Sequence, residues 1–251
     1  VRMQNLLLYG IRAKRSFGLA NHRYYDLGSP WEFPFSNQDA YPAQIEKGMC
    51  LELEAHRIVV QRTTGDRLDL KEMIPSFRHL KAEPEEYILV SPFSSTPIKD
   101  YPENDLVSVL LDPLNSNALP VRISFFDPQK EKAERLANRL RLEGVCVEPL
   151  NSTSVSEYLD SIRHATCVLT VDTATAHLAT TLDIPTVVLI GGGHYMQYGP
   201  WHKSVRQVWL THAVPCVGCN WECKEPEPYC ITRIKAGDVA KAIRSVLKGC
   251  P

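Results

Sequence analysis

The chain has 251 residues, 44% of them hydrophobic and 23% charged, and its 28 basic and 29 acidic side chains leave a formal net charge of −1. This is ordinary globular composition, which excludes a disordered chain, and the even balance gives no global field for nucleic acid or an anionic membrane. No apolar run approaches the ~18–20 residues of a bilayer span, and Val1 to Tyr9 is too short and badly flanked for a signal peptide, so the expectation is a soluble, cytoplasmic protein.

Residues 1–85 lack a regular rhythm. They carry the apolar stretch Asn5 to Gly10, a polar and aromatic stretch from His22 to Phe35, and a helix-like segment from Gln44 to His56. From residue 86 a beat sets in. Tyr87 to Ser91 reads as a buried strand, Asp105 to Leu111 as a helix and Val121 to Phe126 as the next strand. Gln129 to Glu143 reads as an amphipathic helix with Ala133, Leu136, Ala137 and Leu140 on one face. A strand from Val145 to Glu148, a helix from Ser154 to His164, a strand from Cys167 to Val171, a helix from Ala174 to Leu182 and a strand from Pro185 to Ile190 follow. Ala236 to Leu247 is a last amphipathic helix through Val239, Ile243, Val246 and Leu247. Strands alternating with helices predict an α/β fold, a Rossmann-like doubly wound parallel sheet with ligands at the carboxyl ends of its strands.

The most informative segment is Asp172 to Ala179, fed by the apolar strand before it and continued by a helix. It places a carboxylate, a hydroxyl N-cap and the unpaired N–H groups of a helix start at one point, which suits a phosphate beside a hydroxyl-rich sugar. The bland alternative is that Asp172 and Thr173 merely cap the helix. The loop Ser91 to Lys99, after the first strand of the alternating region, lies on the same edge of the sheet. The loop Gly191 to His202 is Gly-rich after a strand but lacks helical periodicity beyond it, so it reads as a flexible loop at the site's edge, with His194 and Tyr195 as possible substrate contacts.

Of eight cysteines, Cys50, Cys146, Cys167 and Cys250 are scattered, and two of these lie in strand-like runs where a thiol acts as a small hydrophobe. Cys216, Cys219, Cys223 and Cys230 form a C-x2-C-x3-C-x6-C run of four soft ligands. In a reducing compartment such a run suggests a structural Zn²⁺ or iron–sulfur cluster, with four ligands leaving no open position for substrate. Packing by Asn220, Trp221 and the prolines Pro226 and Pro228 is the alternative.

Over residues 86–248 the chain resembles the C-terminal half of glycosyltransferase family 9, the ADP-heptose:lipopolysaccharide heptosyltransferases of GT-B architecture. The resemblance rests on Tyr87 to Lys99 with Pro102 after it, on Asp172 to Ala179, on the strand at 185–190 with its three glycines, on Tyr198-Gly-Pro, and on the C-x2-C segment with Ile231 to Lys235 and its closing helix. One position departs: the family usually has glycine two residues after the Asp, and Ala174 stands there.

The resemblance implies a remnant of the N-terminal, acceptor-side domain over 1–85, a nucleotide-sugar-binding domain over 86–235, and a helix over 236–251 packing back toward the N-terminal part. It implies donor binding by Ser94, Ser95 and Lys99 at the pyrophosphate, by Asp127 or Glu131 at the ribose, and by Asp172 and Thr173 at sugar and phosphate. His177 supports the turn and reads as a core histidine rather than a catalyst. The implied reaction is metal-independent, inverting sugar transfer from a nucleotide sugar, such as ADP-heptose, to a glycan or lipid-linked acceptor in lipopolysaccharide biosynthesis. The implied place is the cytoplasm, peripherally at the inner face of the inner membrane, without nucleic acid. No cofactor beyond the donor is implied. The carboxylate base belongs to the N-terminal domain in such enzymes, and roughly a hundred residues of that domain are expected before Val1; within 1–85, Asp26 and Glu32 are the carboxylates that could substitute. A non-catalytic sugar-nucleotide-binding module and a GT-B-like epimerase are the competing readings.

Overall fold

The computed structural model describes residues 17–19, 37–39, 52–73, 76–112, 119–193, 195, 197–199 and 206–248. The chain divides into two compact units, residues 1–74 with 196–201, and residues 75–195 with 202–251. In the first, β1 (Phe17–Leu19) pairs in parallel with β2 (Asn37–Asp39), and α1 (Glu52–Thr64) and α2 (Leu70–Met73) follow. The helix expected from Gln44 to His56 therefore continues eight residues further, and 44–51 lie outside the described residues.

The second unit is a six-stranded sheet, all parallel, in the order β5-β4-β3-β6-β7-β8. Its strands are β3 (Glu85–Ser91), β4 (Val121–Phe125), β5 (Val147–Asn151), β6 (Ala165–Val171), β7 (Thr186–Leu189) and β8 (Gln207–Leu210). Between them run α3 (Glu103–Leu110), α4 (Lys130–Leu142), α5 (Val155–Arg163) and α6 (Ala174–Thr181); α7 (Tyr229–Thr232) and α8 (Ala236–Lys248) close the chain. Ser154 caps α5 by accepting the Glu157 N–H at 3.2 Å, as its side-chain type suggests.

Covering both faces explains why Tyr87 to Ser91 are buried without interruption. Ile88 and Val90 point into one core layer with Ile123, Leu136, Leu140, Leu169, Val187 and Ile243, whereas Tyr87 and Leu89 point into the other with Tyr158, Ile162, Val168, Ala179 and Ile184. The period of two along one strand thus feeds two separate cores. Helices α3, α4 and α8 supply the first layer, and α5 and α6 the second.

Three details differ from the sequence reading. Strand β8 is a sixth member of the sheet, four residues long on an edge, too short to announce itself by pattern. Helix α8 is part of this unit's core rather than a segment of its own: its stripe of Val239, Ala242, Ile243 and Val246 is buried against the sheet and α3. Cys146 is exposed in the turn before β5, while Cys167 is fully buried within β6, as a small hydrophobe would be. Among the described residues no helix is long and apolar enough to cross a membrane.

Candidate functional site

The strand order reverses between β3 and β6: from β3 the chain winds outward through β4 and β5, then returns to β6 on the other flank. The loops leaving β3 and β6 lie there, beyond the carboxyl ends of the strands, where doubly wound sheets bind ligands. Lys99 comes from the first loop and Asp172 from the second.

These two residues meet. Lys99 Nζ donates to Asp172 Oδ2 at 3.1 Å, and both are largely removed from water, with side-chain exposures of 16% and 5%. His177 Nε2 stands 4.0 Å from the other carboxylate oxygen, one turn into α6, and its ring tilts against Trp209 with centroids 6.1 Å apart. Burial pushes the His177 pKa below its ordinary value; the Asp172 carboxylate works against that shift and the Lys99 ammonium adds to it. With 36% of its side chain exposed, His177 is half-buried rather than the core histidine expected.

Beneath the pair lies a chain of buried hydroxyls. Thr175 Oγ1 is 2.9 Å from Ser91 Oγ and 2.5 Å from the Tyr158 hydroxyl, joining β3, α5 and α6. The Thr170 hydroxyl donates to the Ser91 carbonyl at 3.1 Å. These contacts satisfy polar groups that would be costly to bury alone, and they fix the last residue of β3 against the first turn of α6. Thr173 occupies the N-cap position with extended backbone, but its hydroxyl makes no capping bond; it lies 3.4 Å from the Val171 carbonyl and 3.3 Å from Thr170 Oγ1. The expected hydroxyl cap is thus not made, because Thr173 turns back onto the strand end.

The loop after β3 is held from outside. Asp100 Oδ1 accepts the Ser94 N–H at 2.8 Å, its other oxygen accepts Lys132 Nζ at 3.2 Å, and Gln129 Nε2 donates to the Ser94 carbonyl at 3.2 Å. The Ser94 hydroxyl donates to the Thr96 carbonyl at 2.6 Å, and Ser95 is exposed. Of the two ribose candidates, Asp127 accepts Asn151 Nδ2 at 2.7 Å and is tied across the ends of β4 and β5, while Glu131 lies exposed in the first turn of α4. Asp100, Gln129 and Lys132 escaped the sequence reading because they hold the loop through contacts 6 to 35 residues apart, which no local pattern encodes.

The Gly-rich loop reads differently in three dimensions. Gly191, Gly192 and Gly193 are buried rather than a loose edge, and they are clamped by the cysteine segment: Gly218 N–H donates to the Gly192 carbonyl at 2.8 Å and Asn220 N–H to the Gly193 carbonyl at 3.2 Å. The Trp221 indole lies so close that a Cβ on Gly193 would stand 2.7 Å from it, so glycine is required by proximity. His194 lies outside the described residues.

Cys216, Cys219, Cys223 and Cys230 all lie around this clamp and carry no disulfide. Burial raises the thiol pKa of Cys216 and Cys230, and the neighbouring cysteines of the group raise each further. Among the described residues no group of three or more His, Cys, Asp or Glu side chains is disposed to hold a metal ion.

Doubly wound parallel sheets hold ligands beyond the carboxyl ends of their strands at the switch point, which is where Lys99 and Asp172 meet. The profile of glycosyltransferase family 9 (heptosyltransferase) matches residues 6–226, and the chain belongs to that family. Lipopolysaccharide heptosyltransferase 1 of Pseudomonas aeruginosa is 31% identical over an alignment 135 residues long, which covers 47% of this chain and 36% of that one. Among solved structures, the family 9 glycosyl transferase of Veillonella parvula superposes with a TM-score of 0.67 at 14% identity, covering 98% of this chain and 70% of that one. The E. coli heptosyltransferase WaaC with ADP gives 0.57 at 18% identity, over 85% of this chain and 61% of that one. The fold is shared with these enzymes, and the chain spans well under the full length of the relatives it matches.

Proposed function

We propose that this protein binds a nucleoside-diphosphate sugar at the carboxyl ends of β3 and β6 and takes part in transferring the sugar, with inversion and without a metal, to a glycan or lipopolysaccharide acceptor. The observation that carries the reading is the Lys99–Asp172 pair at the switch point, in a chain that belongs to a family of heptosyltransferases. ADP-heptose is the proposed donor, because the matched relative is a lipopolysaccharide heptosyltransferase and a similar fold is described with ADP. Breaking the anomeric bond develops negative charge on the diphosphate, which Lys99 and the N-terminal N–H groups of α6 would stabilise. Ser94 and Ser95 would add contacts to the pyrophosphate, Asp127 or Glu131 would take the ribose hydroxyls, and Asp172 and Thr173 would hold the sugar and phosphate, with His177 behind them. The base that takes the acceptor proton belongs to the acceptor side, outside the sheet unit. The proposed location is the cytoplasm, at the inner face of the inner membrane, where a lipid-linked acceptor would be met.

Calorimetry with ADP, GDP and UDP in the absence of magnesium tests the donor site. Binding is expected, and Lys99→Ala is expected to weaken it by roughly 1–3 kcal/mol, the value of a charge-assisted bond. Unchanged affinity would remove Lys99 from the site. Product analysis with labelled ADP-heptose, with and without acceptor, separates transfer from epimerisation and from binding alone.

The structural Zn²⁺ or iron–sulfur cluster on Cys216, Cys219, Cys223 and Cys230 is proposed separately and takes no part in transfer. It rests on the ligand spacing; the four thiols as placed do not surround a common metal position, so binding would have to draw them together. Elemental analysis of protein purified without chelator should find one equivalent of zinc or a full cluster's iron. Substoichiometric metal, with unaltered folding of Cys219→Ser, would remove the proposal.

A further inference from the structure

Trp221 stands between Cys219 and Cys223, in a loop whose backbone is forced: Gly218, Asn220 and Trp221 all adopt positive φ, at 81°, 51° and 64°. Asparagine tolerates that region and glycine prefers it, but a bulky aromatic residue rarely enters it. The surroundings hold it there. The N–H groups of Gly218 and Asn220 are bonded to the carbonyls of Gly192 and Gly193, and the indole lies on the glycine backbone, where any side chain at Gly191 or Gly193 would collide with it. The same ring carries the Lys99 ammonium 5.2 Å from its centroid, while that ammonium is bonded to Asp172 at 3.1 Å. The lysine's charge is thus fixed between a carboxylate and an aromatic face.

We infer that Trp221 is a positioning residue of the donor site: its indole face sets where the Lys99 ammonium meets Asp172 and the diphosphate of the bound nucleotide. The inference rests on that site binding a nucleoside diphosphate, as proposed above. Three features arranged around one ring support it. The left-handed backbone turns the indole inward, the glycines leave room for it, and a cation over an aromatic face is attracted by the ring's electron density. A lysine on a four-carbon stem otherwise samples many rotamers, so a second contact beyond Asp172 removes freedom that the phosphate would have to remove on binding. Gly191 and Gly193 then serve the site indirectly, by admitting the indole rather than by touching phosphate.

The test is site-directed replacement of the Trp221 indole by 5-fluoro- and 5,7-difluorotryptophan, which drain electron density from the face with little change in shape, with ADP titrated by calorimetry. Affinity should fall stepwise with fluorination. Trp221→Leu should lose roughly three- to thirtyfold and Trp221→Phe should regain most of that loss. In a Lys99→Ala background the same changes should have no further effect, since the cation they act on is gone. Affinity indifferent to fluorination, or an equal loss with and without Lys99, would overturn the inference. If the wild-type chain binds no ADP, it is the donor-site reading that fails, and the two failures are distinguishable.

Discussion

Lys99→Met removes the ammonium and keeps most of the stem, so it isolates the charge. At 3.1 Å and an effective dielectric of 20, the direct attraction in the pair is about 5 kcal/mol. Most of that offsets the cost of taking both groups out of water, so the net value of the intact pair is small. The variant is a different matter: it leaves a carboxylate with 5% of its side chain exposed and takes away the Lys99 ammonium. Breaking a fully buried pair in this way costs ~3–5 kcal/mol. Because the lysine end is 16% exposed and water can approach once it leaves, about 2–3 kcal/mol is expected for Lys99→Met. For a chain of this length that lowers the melting temperature by roughly 5–10 °C. Asp172→Asn on top of Lys99→Met removes the buried charge, and at least half of the loss should return. Urea or thermal unfolding followed by fluorescence gives all three numbers. A Lys99→Met protein within about 0.5 kcal/mol of wild type would show that the pair is a solvated surface contact, and a double variant worse than either single one would show that charge is not the cause.

Other outcomes follow from the same contacts. Gly193→Ala should destabilise by ~1–3 kcal/mol through collision with the indole. Gly144→Ala, with open space around it but φ at 84°, should cost about 1 kcal/mol through backbone strain alone; paired unfolding curves separate the two causes. Ile243→Ala should cost ~2–5 kcal/mol, because Ile243 is fully buried against the sheet; a loss below 0.5 kcal/mol would show that α8 is a detachable segment. For His177, the folded pKa lies below the unfolded 6.5, so the unfolded chain binds more protons as pH falls through that value. The stability of the neutral imidazole is therefore present above about pH 6.5 and lost below it, the loss levelling off once the depressed folded pKa is passed. His177→Gln should flatten the wild-type decline in stability between pH 7 and pH 5, and an unchanged decline would assign it to another group.

The sequence alone specified most of the sheet unit, because its information is local. Uninterrupted apolar runs such as Tyr87 to Val90 read as strands covered on both faces, and the 3.6-residue stripe of Ala133, Leu136, Ala137 and Leu140 reads as a helix with one buried face. The alternation of the two leaves little but a parallel, doubly wound sheet. The ends of β3 and β6 were likewise legible as the place for a site, since each strand stops in a run of small and polar residues. What tertiary structure decided is who meets whom. Lys99 and Asp172 are 73 residues apart in sequence and 3.1 Å apart in space, and only the strand order brings their loops together. Asp100, Gln129 and Lys132 came to hold the loop after β3 by the same route. Trp221 could be seen beforehand only as packing within a cysteine-rich loop; that it lies on Gly191 and Gly193 and under a lysine depends on where β7 and the segment after β8 come to rest. Helix α8 was legible as amphipathic but not as to which surface would take its stripe. A hydrophobic face specifies that it will be buried, whereas the partner is set by the whole arrangement of elements competing for the same apolar surface.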